Sequence, residues 1–159
     1  MQSAVADLRD AFAHPCVTFW QSEWTEADRA IAQVRNMDPA GQARLEAMTL
    51  LTSVYLWRRI IADSQGKLAI VGDALGVLHD ALKLKAKDSV LNAIMCEMAL
   101  LLAPTGQSMQ GAHIWSERNS VCDDLSRVTG NKMLPRSMAT TPRTKRRTVQ
   151  YMYLACCRQ

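Results

Sequence analysis

Apolar positions recur with helical spacing over a long central stretch of the chain. Asp38 followed by Pro39 is typical of a helix start, because Asp caps the first turn and Pro fits its first position. Steps of three and four residues then predict one buried stripe, made of Leu45, Met48, Thr52, Tyr55, Leu56 and Arg59. Glu46 is a charged residue that lies among these mainly apolar positions.

The period changes after this helix. Lys67 to Val71 form a short, nearly continuous apolar run, which predicts a strand buried on both faces of a partly parallel sheet. The run ends at Gly72 and Asp73, and a helix from Ala74 to about Leu82 follows. Asp73 has two interpretations. Open α/β sheets place ligand-binding groups at the carboxyl ends of strands, whereas an Asp just before a helix also serves as its cap.

A second helix and a second strand complete the central pattern. After three lysines, Lys83, Lys85 and Lys87, either Asp88 or Ser89 is predicted to cap a long apolar helix that ends at Leu102. Its methionine-rich stretch "NAIMCEMALLL" is predicted to be core, and "SMQGAHIW" is predicted to be the next strand. From Met37 onwards the order is helix, strand, helix, helix, strand, helix, which indicates an α/β layered domain.

The first part of the chain is less regular. Residues 1–12 are unassigned, and "HPCVTFW" (residues 14–20) is rich in β-branched and aromatic residues, which suits an edge strand. "SEWTEADRAIAQV" then predicts a helical segment with Thr25 as its N-cap.

Composition bounds the class of protein. With 159 residues, 48% of them apolar and 21% charged, the chain has the size of one ordinary domain. No apolar run approaches the roughly 20 residues that span a bilayer, so we expect an intracellular protein, cytoplasmic or nuclear, with no membrane partner. The 5 cysteines include no CxxC pair and the 3 histidines share no ligand spacing, so neither a zinc site nor a disulfide framework is indicated.

Positive charge is concentrated at the end of the chain. The formal net charge is +4, and the residues from Thr129 onwards contain several Lys and Arg but no Asp or Glu. The segment 129–159 is predicted to be a basic, disordered tail, in which "PRTKRR" is either a solvated end or a patch that contacts phosphates or directs nuclear import.

Three stretches, in order, resemble the ribonuclease H-like domain that follows reverse transcriptase in retroelement polyproteins of the DIRS-type and gypsy-like classes. They are "DPAGQARLEAMTLLTSVYLWR", "KLAIVGDALGVLHDALKLKAKDSVLNAIMCEMALLL" and "HIWSERNSVCDDLSR". The last is similar to the family ending His-Ile-Pro-Gly, Asn, Ala-Asp-x-Leu-Ser-Arg. The resemblance implies an α/β fold, a mixed sheet flanked by helices, over residues 13–128.

The resemblance also implies a site. It places Glu46, Asp73 and Asp123 at three of the family's catalytic and metal-binding carboxylates. Such enzymes hold two Mg²⁺ ions about 3.5 to 4 Å apart and hydrolyse the RNA strand of an RNA–DNA hybrid. The same match puts Lys83, Lys85 and Lys87 where they approach substrate phosphates, or else in a solvated linker.

The chain departs from the family at its beginning. The family's first strand carries a fourth carboxylate, an aspartate, and nothing here matches that strand or the second one. The domain is therefore expected to be incomplete and its catalysis impaired. Loss of the central strand also leaves an unpaired sheet edge through which copies of the chain could associate.

Three functions remain open from the sequence. The first is a truncated ribonuclease H-type hydrolase. The second is a catalytically inactive remnant that binds nucleic acid or its own copies. The third is an unrelated helical interaction protein, in which the same apolar stripes are simply core.

Overall fold

The computed structural model describes residues 20, 22–35, 38–64, 67–119 and 143. The chain divides into two compact units, and residues 24–113 belong to the larger one. In the other unit, residues 116–118 form a 3-10 turn in which the Arg118 N–H donates to the Trp115 carbonyl at 2.8 Å. The predicted edge strand (residues 14–20) lies outside the described residues except for Trp20. The segment with Asp123, and the basic tail (residues 129–159) except for Arg143, also lie outside them.

The first helix, α1 (Glu26–Ile31), begins where the sequence predicts it. The Asp28 N–H donates to the Thr25 hydroxyl oxygen at 3.2 Å, and the Thr25 N–H donates to the Asp28 carboxylate at 2.9 Å. This reciprocal capping box satisfies two backbone donors that a helix start leaves without intrahelical partners. The prediction of Thr25 as N-cap is confirmed.

The long helix α2 (Pro39–Asp63) also begins at its predicted residue, where the Asp38 carboxylate accepts a hydrogen bond from the Ala40 N–H at 3.0 Å. The predicted phase of its buried stripe was wrong in part. Met48 and Thr52 are buried as expected, but Arg59 is exposed, and the deeply buried positions continue instead through Ala47, Leu51, Val54 and Ile61.

Two parallel strands, β1 (Lys67–Gly72) and β2 (Ser108–His113), pair from Lys67 opposite Ser108 to Gly72 opposite His113. Parallel strands cannot be joined by a tight hairpin and need a crossover. Here the crossover contains α3 (Leu75–Lys83), α4 (Ser89–Leu102) and a 3-10 turn (Ala103–Thr105). The predicted order is confirmed from α2 to β2, and with it the α/β class.

Only one face of β1 is buried, although burial on both faces was expected. Leu68 packs against the core and Ile70 is buried, whereas Lys67, Ala69 and Val71 are exposed. The run appeared continuous because the exposed positions Ala69 and Val71 are also apolar. Among the described elements, the helix α3 packs on both strands. The β1 side chains on the opposite face are exposed to solvent.

Two helices that run in the same direction form the centre of the core. Arg44, near the start of α2, bonds to Asp88 at the start of α4. Past the other ends, the Gln107 side-chain amide donates to the Ser64 carbonyl at 2.7 Å. The methionine-rich stretch of α4 is core as predicted, and the largest fully buried side chains of the two helices are Met48, Leu51, Thr52, Ile94, Met95 and Met98.

Candidate functional site

The carboxyl ends of β1 and β2 bring a carboxylate residue and an imidazole side by side. Asp73 directly follows β1, and His113 is the last residue of β2, opposite Gly72. The His113 Nε2 lies 3.2 Å from the Asp73 backbone oxygen. A carbonyl oxygen only accepts, so this contact requires the proton on Nε2. The carboxyl edge of parallel strands is where α/β sheets bind ligands.

The Asp73 side chain does not cap the helix that follows it. The N-cap residue of α3 is Ala74, and no side chain makes a capping hydrogen bond there. This removes the capping interpretation of Asp73. In the part of the chain that the structure describes, its half-buried carboxylate has no hydrogen-bond or ion-pair partner. The carboxylate is thus placed as a ligand group would be, at the strand end and without a structural bond to satisfy.

Glu46 lies on the first half of α2 and is half-buried. One of its carboxylate oxygens, Oε1, accepts a hydrogen bond from Gln42 Nε2 at 3.0 Å, one helical turn earlier. This local bond restricts the side chain while leaving the other oxygen available to a further donor or cation.

Asp73 and Glu46 have the chemistry that hard divalent cations prefer, because carboxylate oxygens are the usual ligands of Mg²⁺. The described residues contain no group of three or more His, Cys, Asp or Glu side chains that could hold a metal ion. Asp123, the third carboxylate that the resemblance implies, lies outside those residues.

The three predicted phosphate-contacting lysines are exposed at the junction between α3 and α4. Lys83 is the last residue of α3, and Lys85 and Lys87 follow it. Between the first two, Leu84 adopts a left-handed conformation with φ of 50°. The Leu84 and Lys85 N–H groups donate to the Ala81 and Asp80 carbonyls, which closes the helix end. The tight turn directs the chain into α4 and leaves the lysines in solvent.

An ion pair fixes the other side of this junction. Asp88 accepts a hydrogen bond from the Leu91 N–H at 2.9 Å, so of the two predicted candidates, Asp88 and Ser89, it is Asp88 that caps α4. Its two oxygens also accept from Arg44 Nε at 3.2 Å and Nη2 at 2.7 Å. The Arg44 guanidinium lowers the pKa of Asp88 below its ordinary value, and the same contact raises the pKa of Arg44. Asp88 therefore has a structural role, which leaves the neighbouring lysines without that carboxylate as a partner.

His113 is the functional candidate that the sequence did not indicate. Histidine spacing along the chain suggested nothing, because the relevant neighbour, Asp73, lies forty positions earlier. The signal that would have found it is register. When two strands joined by a helical crossover pair in parallel, the polar residues at their carboxyl ends come together. The predicted strand was extended through Trp115, whereas β2 ends at His113.

No protein-family model, curated protein or solved structure matches the chain. Among the described helices, none is both long and apolar enough to cross a membrane.

Proposed function

We propose that the chain carries an incomplete ribonuclease H-like domain of retroelement origin, whose chemistry is metal-dependent hydrolysis of RNA in RNA–DNA hybrids. The observation that carries the proposal is the position of Asp73. It directly follows a strand of a parallel pair, its side chain caps no helix, and its backbone oxygen contacts His113 at the edge where α/β sheets bind ligands. The order of α2, β1, α3, α4 and β2 supports the same assignment.

Each residue then has a role. Asp73 and Glu46 would hold Mg²⁺, which supplies an activated water and stabilises the leaving oxygen when bound. The resemblance of the sequence implies a ligand role for Asp123 as well. The hydrogen bond from His113 holds the backbone at Asp73 and so orients its carboxylate. Lys83, Lys85 and Lys87 would lie along substrate phosphates and position the hybrid without reading its sequence.

The expected activity is weak, because the sequence has no match to the aspartate of the family's first strand. A metal-bridging carboxylate holds the cations that stabilise the charge developing in the transition state. Loss of one oxyanion-hole donor lowers rates by about a hundred- to a thousandfold, and we expect loss of a metal ligand to lower them by at least as much. We therefore propose an enzyme with impaired hydrolysis, whose activity is measurable only at high concentrations of metal and enzyme.

Cleavage of a labelled RNA–DNA hybrid in Mg²⁺ or Mn²⁺ tests this assignment. The wild-type chain is compared with Asp73→Asn and with a matched control, Asp80→Asn, whose side chain makes only a 3.6 Å contact to His79. We expect metal-dependent RNA cleavage that Asp73→Asn abolishes and Asp80→Asn retains. Equal cleavage by both variants would show that the activity does not involve Asp73.

An inactive remnant is the second candidate, and the sheet favours it. In the described part of the chain the sheet consists of β1 and β2 alone, so each has an outer edge with no partner strand there. Such edges pair with other chains. Folded protein that cleaves no hybrid but elutes as a dimer or larger species would support this alternative over hydrolysis.

A further inference from the structure

The second half of α2 carries a group of side chains that the proposed metal site does not use. The Arg58 guanidinium carbon lies 4.8 Å from the centre of the Tyr55 ring, which is a cation–π contact. Arg59 is one residue further along, so both arginines neighbour Tyr55 at the three- and four-residue spacings of a helix surface. We call Tyr55, Arg58 and Arg59 the Tyr-Arg surface.

Both arginines are exposed, whereas Tyr55 is half-buried. The ion pairs among the described residues include Arg44 with Asp88 and His79 with Asp80. Neither Arg58 nor Arg59 has a carboxylate within ion-pair distance in that part of the chain, although Asp63 is one helical turn past Arg59. Two uncompensated positive charges are therefore presented side by side to solvent.

The contact with the Tyr55 ring also restricts the Arg58 side chain. A stacked guanidinium has already lost part of its side-chain freedom, so less entropy remains to be lost when it binds a ligand. The Arg58 side chain is exposed, and the planar N–H fork of a guanidinium matches the paired oxygens of a phosphate. A carboxylate offers a similar pair of oxygens. A phosphodiester strand, in addition, repeats its charge every few ångströms, so adjacent arginines can each meet one.

We propose that the Tyr-Arg surface binds the phosphodiester backbone of nucleic acid. The choice of nucleic acid rests on the proposed function, but the surface is separate from the proposed metal site. Tyr55 follows Glu46 by nine residues, which on a helix is about 14 Å along the axis and about half a turn around it. Binding at the Tyr-Arg surface is therefore independent of hydrolysis and would anchor a strand away from the reacting bond.

The test is fluorescence anisotropy of a labelled RNA–DNA hybrid with the full chain, without divalent metal, over a series of salt concentrations. The double variant Arg58→Gln/Arg59→Gln removes the charges. Its matched control is Arg29→Gln/Arg35→Gln, which removes two other exposed arginines. Tyr55→Leu removes the ring and keeps both charges.

We expect the Arg58/Arg59 variant to bind on the order of tenfold more weakly at 0.2 M salt, with a salt slope reduced by about 1.8, or 0.9 per phosphate contact. Tyr55→Leu should weaken binding about two- to fivefold with an unchanged slope. The Arg29/Arg35 control should bind as the wild type does.

Three outcomes would overturn the proposal. They are no binding by the wild type at low salt, an equal loss in the Arg29/Arg35 control, and equally tight binding of a polyglutamate peptide. The last would assign the surface to acidic proteins. Hybrid binding that depends on Arg58 and Arg59, together with absence of cleavage in Mg²⁺ or Mn²⁺, would overturn the hydrolytic function and leave this surface standing.

Discussion

Replacing Asp88 by Ala should measurably destabilise the larger unit, because one side chain makes two separate contributions. It caps α4 through the Leu91 N–H, and it pairs with Arg44 through both oxygens. Loss of an N-cap costs about 1 kcal/mol. The ion pair is only partly buried, with 15% of the Arg44 side chain and 32% of the Asp88 side chain exposed, so we assign it about 0.5 kcal/mol.

The total of roughly 1.5 kcal/mol corresponds to a decrease in Tm of about 3 to 6 °C for a chain of this size. Asp88→Ser separates the two contributions, because Ser still accepts the capping hydrogen bond but carries no charge. It should lose only the ion-pair share, about 0.5 kcal/mol. Urea unfolding followed by circular dichroism at 222 nm gives both free energies of unfolding.

Low pH should remove the stabilisation that the ionised Asp88 carboxylate contributes. The pKa of Asp88 is lower in the folded chain than in the unfolded one, so the unfolded state takes up a proton first as the pH falls. The stabilisation is therefore complete above about pH 4 and is lost as the pH drops through the folded-state pKa. Asp88→Ser should show a shallower acid limb than the wild type. Equal losses in the Ala and Ser variants, or parallel acid limbs, would refute this account of Asp88.

Two further comparisons test packing. A Cβ at Gly111 would lie 2.7 Å from the Leu82 Cδ1 and 3.2 Å from the Cγ of the buried Leu78, so Gly111→Ala should lower the free energy of unfolding by about 1 to 3 kcal/mol. Gly76→Ala meets no atom within 4 Å and should raise it by about 0.5 to 1 kcal/mol. Leu51→Ala, at a site with no exposure, should cost about 2 to 5 kcal/mol. Leu100→Ala, at a site that is 54% exposed, should lower the free energy of unfolding far less. Urea unfolding measures all four, and a reversed order within either pair would contradict the packing described.

Helix starts could be predicted from the sequence because a cap is a local interaction. Thr25 and Asp38 each accept from a backbone N–H two or three residues ahead, so the residue type and its position suffice. For α4 the sequence narrowed the cap to Asp88 or Ser89, and the hydrogen bond from the Leu91 N–H identifies Asp88. The burial of α4 could also be predicted, since a helix that is apolar nearly all round has to be covered.

The orientation of α2 could not be predicted in full for the opposite reason. Its apolar residues occupy more than one face, and the face that is buried is chosen by α4, which lies far along the chain. Thr52 is fully buried while Arg59, on the same predicted stripe, is exposed. The pairing of Asp73 with His113 has the same character, because it depends on the register of two strands that are distant in sequence.

The parallel pairing of β1 with β2 constrains how the larger unit can be made in a cell. Lys67 pairs with Ser108, so both crossover helices must be synthesised before the first hydrogen bond between the strands can form. Non-local pairing of this kind makes folding slow compared with a purely helical protein. Until the ribosome has released β2, β1 lacks its parallel partner, and unpaired strand edges of this kind are prone to aggregate. A polypeptide that ends within α4 would therefore contain β1 without β2, its parallel partner.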